Sequence, residues 1–411
     1  MRYINRHLEA RLRRFAASFK VVLLVGARQV GKSTLLQHVF PEVRSVVFDP
    51  VQDIYGARHD PDQFLETFGT PLILDEVQYA PQLLAAVKRR ADLSAESGQY
   101  FMTGSQNLAI LRDVSESMAG RVGILRLDGL TPAEVTDGSQ AASWLERYLS
   151  DPGRFGETLA EMPLADVEMP LAHYLWRGQL PGLVPFEESE VPAYWSSYVQ
   201  TYVERDIRRM ANIADLGQFG RFLRLCGALT GQEIVQSQLG RELGISPKTA
   251  RSWIDLLTGS YQWLELSAYS RNRVKRVSGR PKGHFTDSGL ARYLNGLPTP
   301  ESVLSRPLFG AIFESWGVNW VARQMQRLPL APTLYHWRVH SGAEVDLVLD
   351  YGGRLHPLEF KAATHLTGYD ARGILSFQKI FPQAVTGVVI YGGKVPFRLS
   401  ERVVAIPWCA V

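Results

Sequence analysis

The chain has 411 residues, of which 45% are hydrophobic and 21% are charged, and its formal net charge is +4. This composition is that of an ordinary globular protein, and its length predicts two to four domains. With so small a net charge the chain as a whole is not a polycation, so basic residues indicate an anionic partner only where they cluster.

The cysteines and the N-terminal region indicate a soluble, cytoplasmic protein. Cys226 and Cys409 lie far apart and match neither a disulfide framework nor a zinc site, which favours a reducing compartment. The first residues contain no apolar stretch of signal-peptide length. The early run VVLLVGA is also much shorter than the roughly 20 residues that span a bilayer.

A phosphate-binding loop is predicted near the start of the chain. The apolar run 21–25 is followed by GARQVGKS and then by a helical pattern, which is the context that the G-x-x-x-x-G-K-[ST] motif requires. Its backbone amides and the helix N-terminus would hold phosphates, with Lys32 at the terminal phosphates and Ser33 on Mg²⁺. The expected ATP contacts in this loop are Gly26, Ala27, Arg28, Gln29, Val30, Gly31, Lys32, Ser33 and Thr34.

Two later strands add candidates for the same site. The apolar run in TPLILDE ends in Asp75 and Glu76, which predicts an aspartate for the Mg²⁺ shell and a glutamate that polarises the attacking water. The strand GQYFMTGSQN ends in polar residues, and Ser105 or Asn107 would sense the γ-phosphate. An ordinary turn explains either of these last two residues equally well.

The segments GARQVGKSTLL, LILDEVQ, TGSQN and MAGRVGILRLDGLTPAE resemble the AAA-type ATPase domain of a widespread prokaryotic family. Members of that family carry a C-terminal domain long labelled as of unknown function and now grouped with restriction-endonuclease-like folds. The resemblance extends over almost the whole chain. It implies that Arg121 completes the active site of a neighbouring subunit, and therefore a homo-oligomer. The alternative for Arg121 is a salt-bridged arginine at the start of a strand.

Residues 136–215 are predicted to form a helical lid. Tyr194, Tyr198, Val199 and Tyr202 recur at helical spacing, which indicates core packing rather than a base-stacking platform. Three arginines on the following helix are candidates for a second sensor of the nucleotide, although such helix ends usually face water: Arg205, Arg208 and Arg209.

A winged helix is predicted for residues 216–298. Helix SQLGRELG is followed by a turn and by helix PKTARSWIDLL, for which Ser246 is a suitable N-cap and Pro247 a suitable first residue. Two strands with a basic connection follow. The candidate DNA contacts are Lys248 and Arg251 on the second helix and Arg271, Arg273, Lys275, Arg276, Arg280 and Lys282 in the connection. A docking surface for protein remains the alternative.

Residues 343–363 predict a β-hairpin that turns at Gly352-Gly353. In that register Asp346 faces Glu359, and Glu344 faces Lys361. Like charges in opposed positions cost stability unless one is protonated or a divalent cation lies between them. The alternative is a solvated face on which Glu344 and Lys361 form an ion pair.

The resemblance implies a role for this hairpin, because Asp346 and Glu359-Phe360-Lys361 match the D…ExK core of restriction-endonuclease-like folds. In those folds the two acids bind Mg²⁺ and the lysine orients or activates water. The resemblance also places Glu314, in the helical stretch LFGAIFESWGVNWVARQ, at the position of that fold's first-helix acid. It thus implies a second Mg²⁺ or Mn²⁺ in the C-terminal domain.

Together these observations predict an α/β protein of four parts: a P-loop AAA-type core at 1–135, a helical lid at 136–215, a winged helix at 216–298 and a restriction-endonuclease-like domain at 299–411. The expected function is ATP hydrolysis coupled to engagement of DNA, with metal-dependent cleavage as an open question. The alternative is an ATP-driven conformational switch whose C-terminal domains dock a partner protein without cutting nucleic acid.

Overall fold

The computed structural model describes residues 3–105, 118, 120–136, 142–202, 213, 215–272, 274, 276, 279–304, 307–339 and 342–411. The chain divides into two compact units. The first unit comprises residues 5–129 and 259–261, and the second is built mainly from residues 130–258 and 262–411. None of the helices in these ranges combines the length and the apolar character needed to span a bilayer.

The first unit is an α/β fold around a five-stranded parallel sheet of order β2-β3-β4-β1-β5. Its strands are β1 Val21–Val25, β2 Arg44–Val47, β3 Leu72–Asp75, β4 Tyr100–Gly104 and β5 Val122–Arg126. Its helices are α1 Glu9–Ser18, α2 Lys32–Val39, α3 Pro61–Phe68 and α4 Leu83–Leu93. Strand β1 is buried along its whole length, as expected for a strand inside a parallel sheet. The carboxyl ends of β1, β3 and β4 therefore meet at one edge.

Helices form much of the second unit. They are α5 Pro132–Val135, α6 Trp144–Ser150, α7 Leu171–Arg177, α8 Val191–Thr201, α9 Leu216–Ala228, α10 Gln236–Leu243, α11 Pro247–Gly259, α12 Ser288–Leu294, α13 Leu308–Met325 and α14 Arg372–Ile380. Tyr198 and Tyr202 are buried, which confirms the prediction that these aromatic side chains are core. The second-sensor candidates Arg205, Arg208 and Arg209 lie outside the described residues.

A nine-stranded sheet runs through the second unit in the order β13-β14-β12-β11-β10-β9-β7-β8-β6. Its strands are β6 Gln232–Glu233, β7 Trp263–Ala268, β8 Lys282–Phe285, β9 Thr333–Arg338, β10 Glu344–Tyr351, β11 Arg354–Lys361, β12 Gly387–Tyr391, β13 Phe397–Ser400 and β14 Val403–Pro407. Parallel pairing of Ser267 with Tyr335 joins β7 to β9. The sheet is therefore continuous across the boundary expected near residue 298.

The two helices α10 and α11 form where the sequence predicts them. Gly244 ends α10 in the left-handed region with φ 66°, which glycine adopts without steric cost. The Ser246 hydroxyl then accepts a hydrogen bond from the Thr249 N–H at 3.0 Å, as expected of an N-cap. Strand β6 precedes these helices and β7 and β8 follow them, and β8 pairs antiparallel with both β6 and β7.

The hairpin of β10 and β11 has the predicted register. Leu347 pairs with Leu358, and Tyr351 pairs with Arg354. Gly352 and Gly353 have φ values of 58° and 75°, the left-handed pair that a tight type I′ turn requires. Helix α14 packs its buried residues Ile374 and Phe377 into the apolar cluster on one face of this sheet.

Candidate active sites

The predicted P-loop joins the buried end of β1 to the first residue of α2. Gly26 has φ 149°, and a Cβ built there would lie 2.0 Å from the Leu127 carbonyl oxygen, so only glycine fits. The buried Lys32 side chain donates hydrogen bonds to the carbonyl oxygens of Gly26 at 3.0 Å and Ala27 at 2.9 Å. The ammonium group is thus held inside the loop that would receive phosphates.

The aspartate at the end of β3 lies beside the first turn of α2. The Ser33 hydroxyl donates a hydrogen bond to Asp75 Oδ1 at 2.8 Å, and the Thr103 hydroxyl donates to the same oxygen. Asp75 is buried, at 5% exposure, so these donors replace water around its carboxylate. The structure thereby brings the two predicted Mg²⁺ ligands together. Thr103 was not among the predicted residues, although its place near the end of a central strand is a usable signal.

Glu76 is fixed by a second small network at the same strand ends. Its backbone lies in the left-handed region with φ 58°, and its N–H donates to Thr103 Oγ1 at 2.9 Å. The Ser105 hydroxyl donates to Glu76 Oε2 at 3.2 Å, and the Gln78 amide donates to the same oxygen. Ser105 therefore lies at the predicted site, while Asn107 is outside the described residues. Gln78 was missed by the sequence reasoning.

Arg121 forms an ion pair with Asp92 within the first unit, and its side chain is 38% exposed. Within a single chain, Arg121 is thus the salt-bridged arginine of the alternative interpretation. The role of Arg121 in a neighbouring subunit stays a prediction.

A second polar site lies in the C-terminal part of the sheet. A cavity of about 620 Å³ is lined by the predicted residues Glu314 from α13, Asp346 from β10, and Glu359 and Lys361 from β11. Gly373, in the first turn of α14, also lines it. The helix and the hairpin thus bring together the residues that the resemblance to restriction-endonuclease-like folds predicts for this site.

Ion pairs hold these side chains in place. Lys361 Nζ lies 2.7 Å from Glu359 Oε1, and Asp346 Oδ2 accepts a hydrogen bond from the Phe360 N–H at 3.0 Å. The opposite oxygen of Glu359, Oε2, is buried and has no hydrogen-bond partner among the residues that the structure describes. A buried carboxylate oxygen without a donor, on a residue that lines a polar cavity, fits a bound cation.

Lys282 supplies a second ammonium group to the site. Its Nζ lies 3.0 Å from Glu314 Oε1 and 3.7 Å from Asp346 Oδ1, and it also contacts Glu344 Oε1. The alternative of a Glu344–Lys361 ion pair on a solvated face is therefore wrong, because Glu344 is paired with Lys282 and Lys361 with Glu359. The register alone could not reveal this, since Lys282 reaches the hairpin from β8.

The charges of the site shift its acid–base equilibria in a consistent direction. Burial, and then the negative charge of Asp346, raise the pKa of Glu314 and of Glu359 well above their usual range, against the opposing effects of Lys282 and Lys361. Burial would lower the pKa of Lys282, but Glu314, Asp346 and Glu344 outweigh it and raise that pKa. These three carboxyl groups thus favour the charged form of Lys282.

Each acid of the site is in contact with a lysine: Lys282 contacts Glu314, Glu344 and Asp346, and Lys361 contacts Glu359. In the described part of the chain, no group of three or more His, Cys, Asp or Glu side chains is already arranged to hold a metal ion. Asp346 and Glu359 line one cavity, so the predicted ligands converge without forming a completed metal centre.

The predicted DNA contacts are distributed unevenly. Lys282 does not belong to an exposed wing: its residue exposure is 3%, because β8 is an inner strand of the sheet. Arg251 is paired with Asp255 at 2.6 Å and Glu265 at 3.0 Å.

Among the other described candidates, Arg271 is exposed and Arg276 is half-buried. The Arg271 guanidinium lies over the Phe381 ring, and that of Arg276 lies 4.3 Å from the centre of the Tyr269 ring. Lys248 and Arg280 are exposed. Arg273 and Lys275 lie outside the described residues.

Comparisons with known proteins match three separate regions of the chain to family models. Residues 18–136 match a family described as an AAA domain. Residues 169–301 and 309–411 match two families described as domains of unknown function, DUF8612 and DUF4143. The uncharacterized proteins Rv2008c of Mycobacterium tuberculosis and Mb2031c of Mycobacterium bovis are each 28% identical over 406 residues, which cover 98% of this chain and 83% of theirs.

Two solved structures show distant similarity. The Walker-type ATPase paby2304 of Pyrococcus abyssi has a TM-score of 0.45 and 15% identity, covering 71% of this chain and 96% of its own. A mutant RuvB of Thermotoga maritima has a TM-score of 0.27 and 14% identity, covering 64% of this chain and 89% of its own.

The P-loop, the strand-terminal Asp75 and Glu76, and the AAA-domain match define the class. Residues 18–136 therefore form a P-loop domain of AAA type, with its candidate nucleotide site at the ends of β1, β3 and β4.

Proposed function

We propose that the protein hydrolyses ATP at the strand-end site of its first unit, and that its second unit engages DNA and cleaves it in a divalent-metal-dependent reaction. The observation that carries the cleavage proposal is the convergence of Glu314, Asp346, Glu359 and Lys361 on one cavity. This set of acids and a lysine is chemically suited to phosphodiester hydrolysis.

In the ATPase part, Lys32 would leave the loop carbonyls for the terminal phosphates, and Ser33 and Asp75 would hold Mg²⁺. Glu76 is positioned by Ser105 and Gln78, which keep its carboxylate at the strand ends where it can polarise water. Arg121 of a neighbouring copy would stabilise the charge that develops on the transferred phosphate, so the active form is a homo-oligomer.

At the C-terminal site, Asp346, Glu359 and Glu314 would hold Mg²⁺ or Mn²⁺. The buried Oε2 of Glu359 supports this assignment, because it accepts no hydrogen bond within the described part of the chain. When bound, the ion would supply charge stabilisation at the scissile phosphate. Lys361 is fixed by Glu359 and would orient the attacking water or support the phosphate oxygens. Phe360 keeps Asp346 oriented through its backbone N–H.

The proposed engagement of DNA is based on exposed basic residues of the second unit. Lys248 opens the second helix of the α10–α11 pair and is exposed, as is Arg280 before β8. Both side chains are exposed and could neutralise phosphates, whereas Arg251 is already paired with two acids. The wing assignment for the segment between β7 and β8 is part of this proposal.

A second candidate function is an ATP-driven switch whose second unit docks a protein partner. It is favoured by one observation, namely that lysines rather than an open metal centre satisfy the C-terminal acids. In this case the acid–lysine cluster would be structural.

The experiment that separates the two is a cleavage assay on linear, branched and single-stranded DNA with Mg²⁺ or Mn²⁺. We expect cleavage by the wild type, its loss in Asp346→Asn, and its retention in the matched control Asp350→Asn, which alters the same strand at a residue paired with Arg276. ATP hydrolysis, measured in parallel, should be the same in both variants. Inertness of the wild type on every substrate with either metal would favour the switch.

A further inference from the structure

The C-terminal site contains a lysine that lies outside its sequence motif. Lys282 belongs to β8, within the region that matches DUF8612 at 169–301, whereas Glu314, Asp346 and Glu359 lie within the DUF4143 match at 309–411. Parallel pairing of β7 with β9 makes one sheet of both regions, and this brings Lys282 to the acids. The site is therefore built from two regions that the family models separate.

The contacts of Lys282 are those of a buried counter-ion. Its side chain is 4% exposed, and its Nζ is shared by Glu314 at 3.0 Å, Asp346 at 3.7 Å and Glu344. Glu314 and Asp346 are among the acids assigned to the metal in the proposed function. A fixed positive charge thus lies within reach of the groups that would have to bind a second cation.

The sum of charges supports the same conclusion. Around a bound cation the carboxylates of Glu314, Glu344, Asp346 and Glu359 would carry four negative charges, and Lys282 and Lys361 would carry two positive ones. The difference is two negative charges, which is the charge that one divalent cation neutralises. Without Lys282 the excess would be three, and the attraction for a cation would increase accordingly.

We propose that Lys282 is an internal counter-cation that positions Glu314 and Asp346 before metal binds and that lowers the affinity of the site for the divalent ion. This inference rests on the metal site of the proposed function. It makes Lys282 a positioning residue, and it assigns to the DUF8612 region a direct part in the C-terminal site.

The test is Mn²⁺ binding by the full-length protein without nucleotide, followed by electron paramagnetic resonance of the free ion. Asp346→Asn identifies the binding that belongs to the C-terminal site. Lys282→Gln should lower the Kd of that binding at least about tenfold, whereas Lys282→Arg, which keeps the charge, should change it by less than about threefold. Lys379→Gln is the matched control, because Lys379 is exposed near the end of α14 and the substitution removes the same charge.

The outcomes separate this inference from the proposed function. An unchanged or higher Kd in Lys282→Gln, with binding still lost in Asp346→Asn, would overturn the role of Lys282 and leave the metal site intact. Absence of any Asp346-dependent binding in the wild type would overturn both. If Lys282→Gln does not fold in metal-free buffer, the inference requires that Mn²⁺ restore its thermal transition, because the ion replaces the lost positive charge. A transition that Mn²⁺ does not restore would contradict it.

Discussion

Gly373 controls how closely α14 approaches the β10–β11 hairpin. A Cβ built at this position would lie 2.1 Å from the Glu344 carbonyl oxygen and 3.6 Å from Glu359 Oε2. Ordinary contact begins near 3.4 Å, so Gly373→Ala forces the helix and the hairpin apart by about 1 Å. The backbone of β10 is held by pairing on both sides, so we expect the helix to move.

The expected cost has two parts. Forced overpacking of this kind typically lowers the free energy of unfolding by about 1–3 kcal/mol. The displacement also changes the wall of the cavity beside Glu359, and a misplacement of about 1 Å can reduce a reaction rate by about 100-fold. Gly373→Ala should therefore reduce DNA cleavage by about that factor and weaken Mn²⁺ binding at the C-terminal site.

Calorimetry and a single-turnover cleavage assay measure these two effects. Gly368→Ala is a suitable control because a Cβ at Gly368 meets nothing within 4 Å, although Gly368 lies only five residues earlier in the chain. ATP hydrolysis should be unaffected by either substitution. A Gly373→Ala protein with wild-type stability, metal affinity and cleavage rate would refute the reasoning that this close approach shapes the site.

Three further predictions concern other parts of the chain. Asp75→Asn removes the carboxylate to which Ser33 donates, and phosphate release should show ATP hydrolysis reduced by about 10- to 100-fold; an unchanged rate would make Asp75 a structural strand end. Burial lowers the pKa of His356 from 6.5 to about 4, so the unfolded chain takes up a proton on this residue at higher pH than the folded chain does. The free energy of unfolding should therefore fall by up to about 3 kcal/mol as pH decreases from 6.5 towards 4. Denaturant unfolding should show this slope, and His356→Gln should flatten it; an equally steep slope in His356→Gln would assign the loss to other groups. If Arg121 acts on a neighbouring subunit, mixing inactive Arg121→Ala and Lys32→Ala proteins should restore part of the ATPase activity, and no recovery would argue against a shared site.

The parts of both sites that depend on local sequence were predictable. The P-loop is encoded by a short spacing between a strand and a helix, and Gly26 and Lys32 lie as that spacing indicates. The hairpin register follows from the alternation of side chains about Gly352 and Gly353. That register alone is sufficient to place Asp346 and Glu359 on one face of the hairpin.

The parts that depend on long-range pairing were not predictable. Lys282 follows several basic residues in the sequence, and this composition suggested an exposed wing. Its burial results from the pairing of Ser267 with Tyr335, which adds β7 and β8 to the C-terminal sheet. Thr103 was missed for a similar reason, because its contact with Asp75 joins two strands whose adjacency the sequence does not state.

The two sites neutralise their acids in different ways, and this difference bears on when each takes a metal ion. Asp75 is satisfied by the neutral hydroxyls of Ser33 and Thr103, so the strand-end site carries little excess charge and gains most of its negative charge from the phosphates of ATP. The C-terminal site has the opposite balance, because its own four carboxyl groups outnumber its two lysines and, once ionised around a cation, would supply the negative charge without any substrate. Electrostatics therefore predicts that Mg²⁺ enters the first site together with the nucleotide, whereas the C-terminal site binds its ion without nucleic acid. Isothermal titration with Mn²⁺, with and without a non-hydrolysable ATP analogue, would detect this order, and Asp346-dependent binding that required DNA would contradict it.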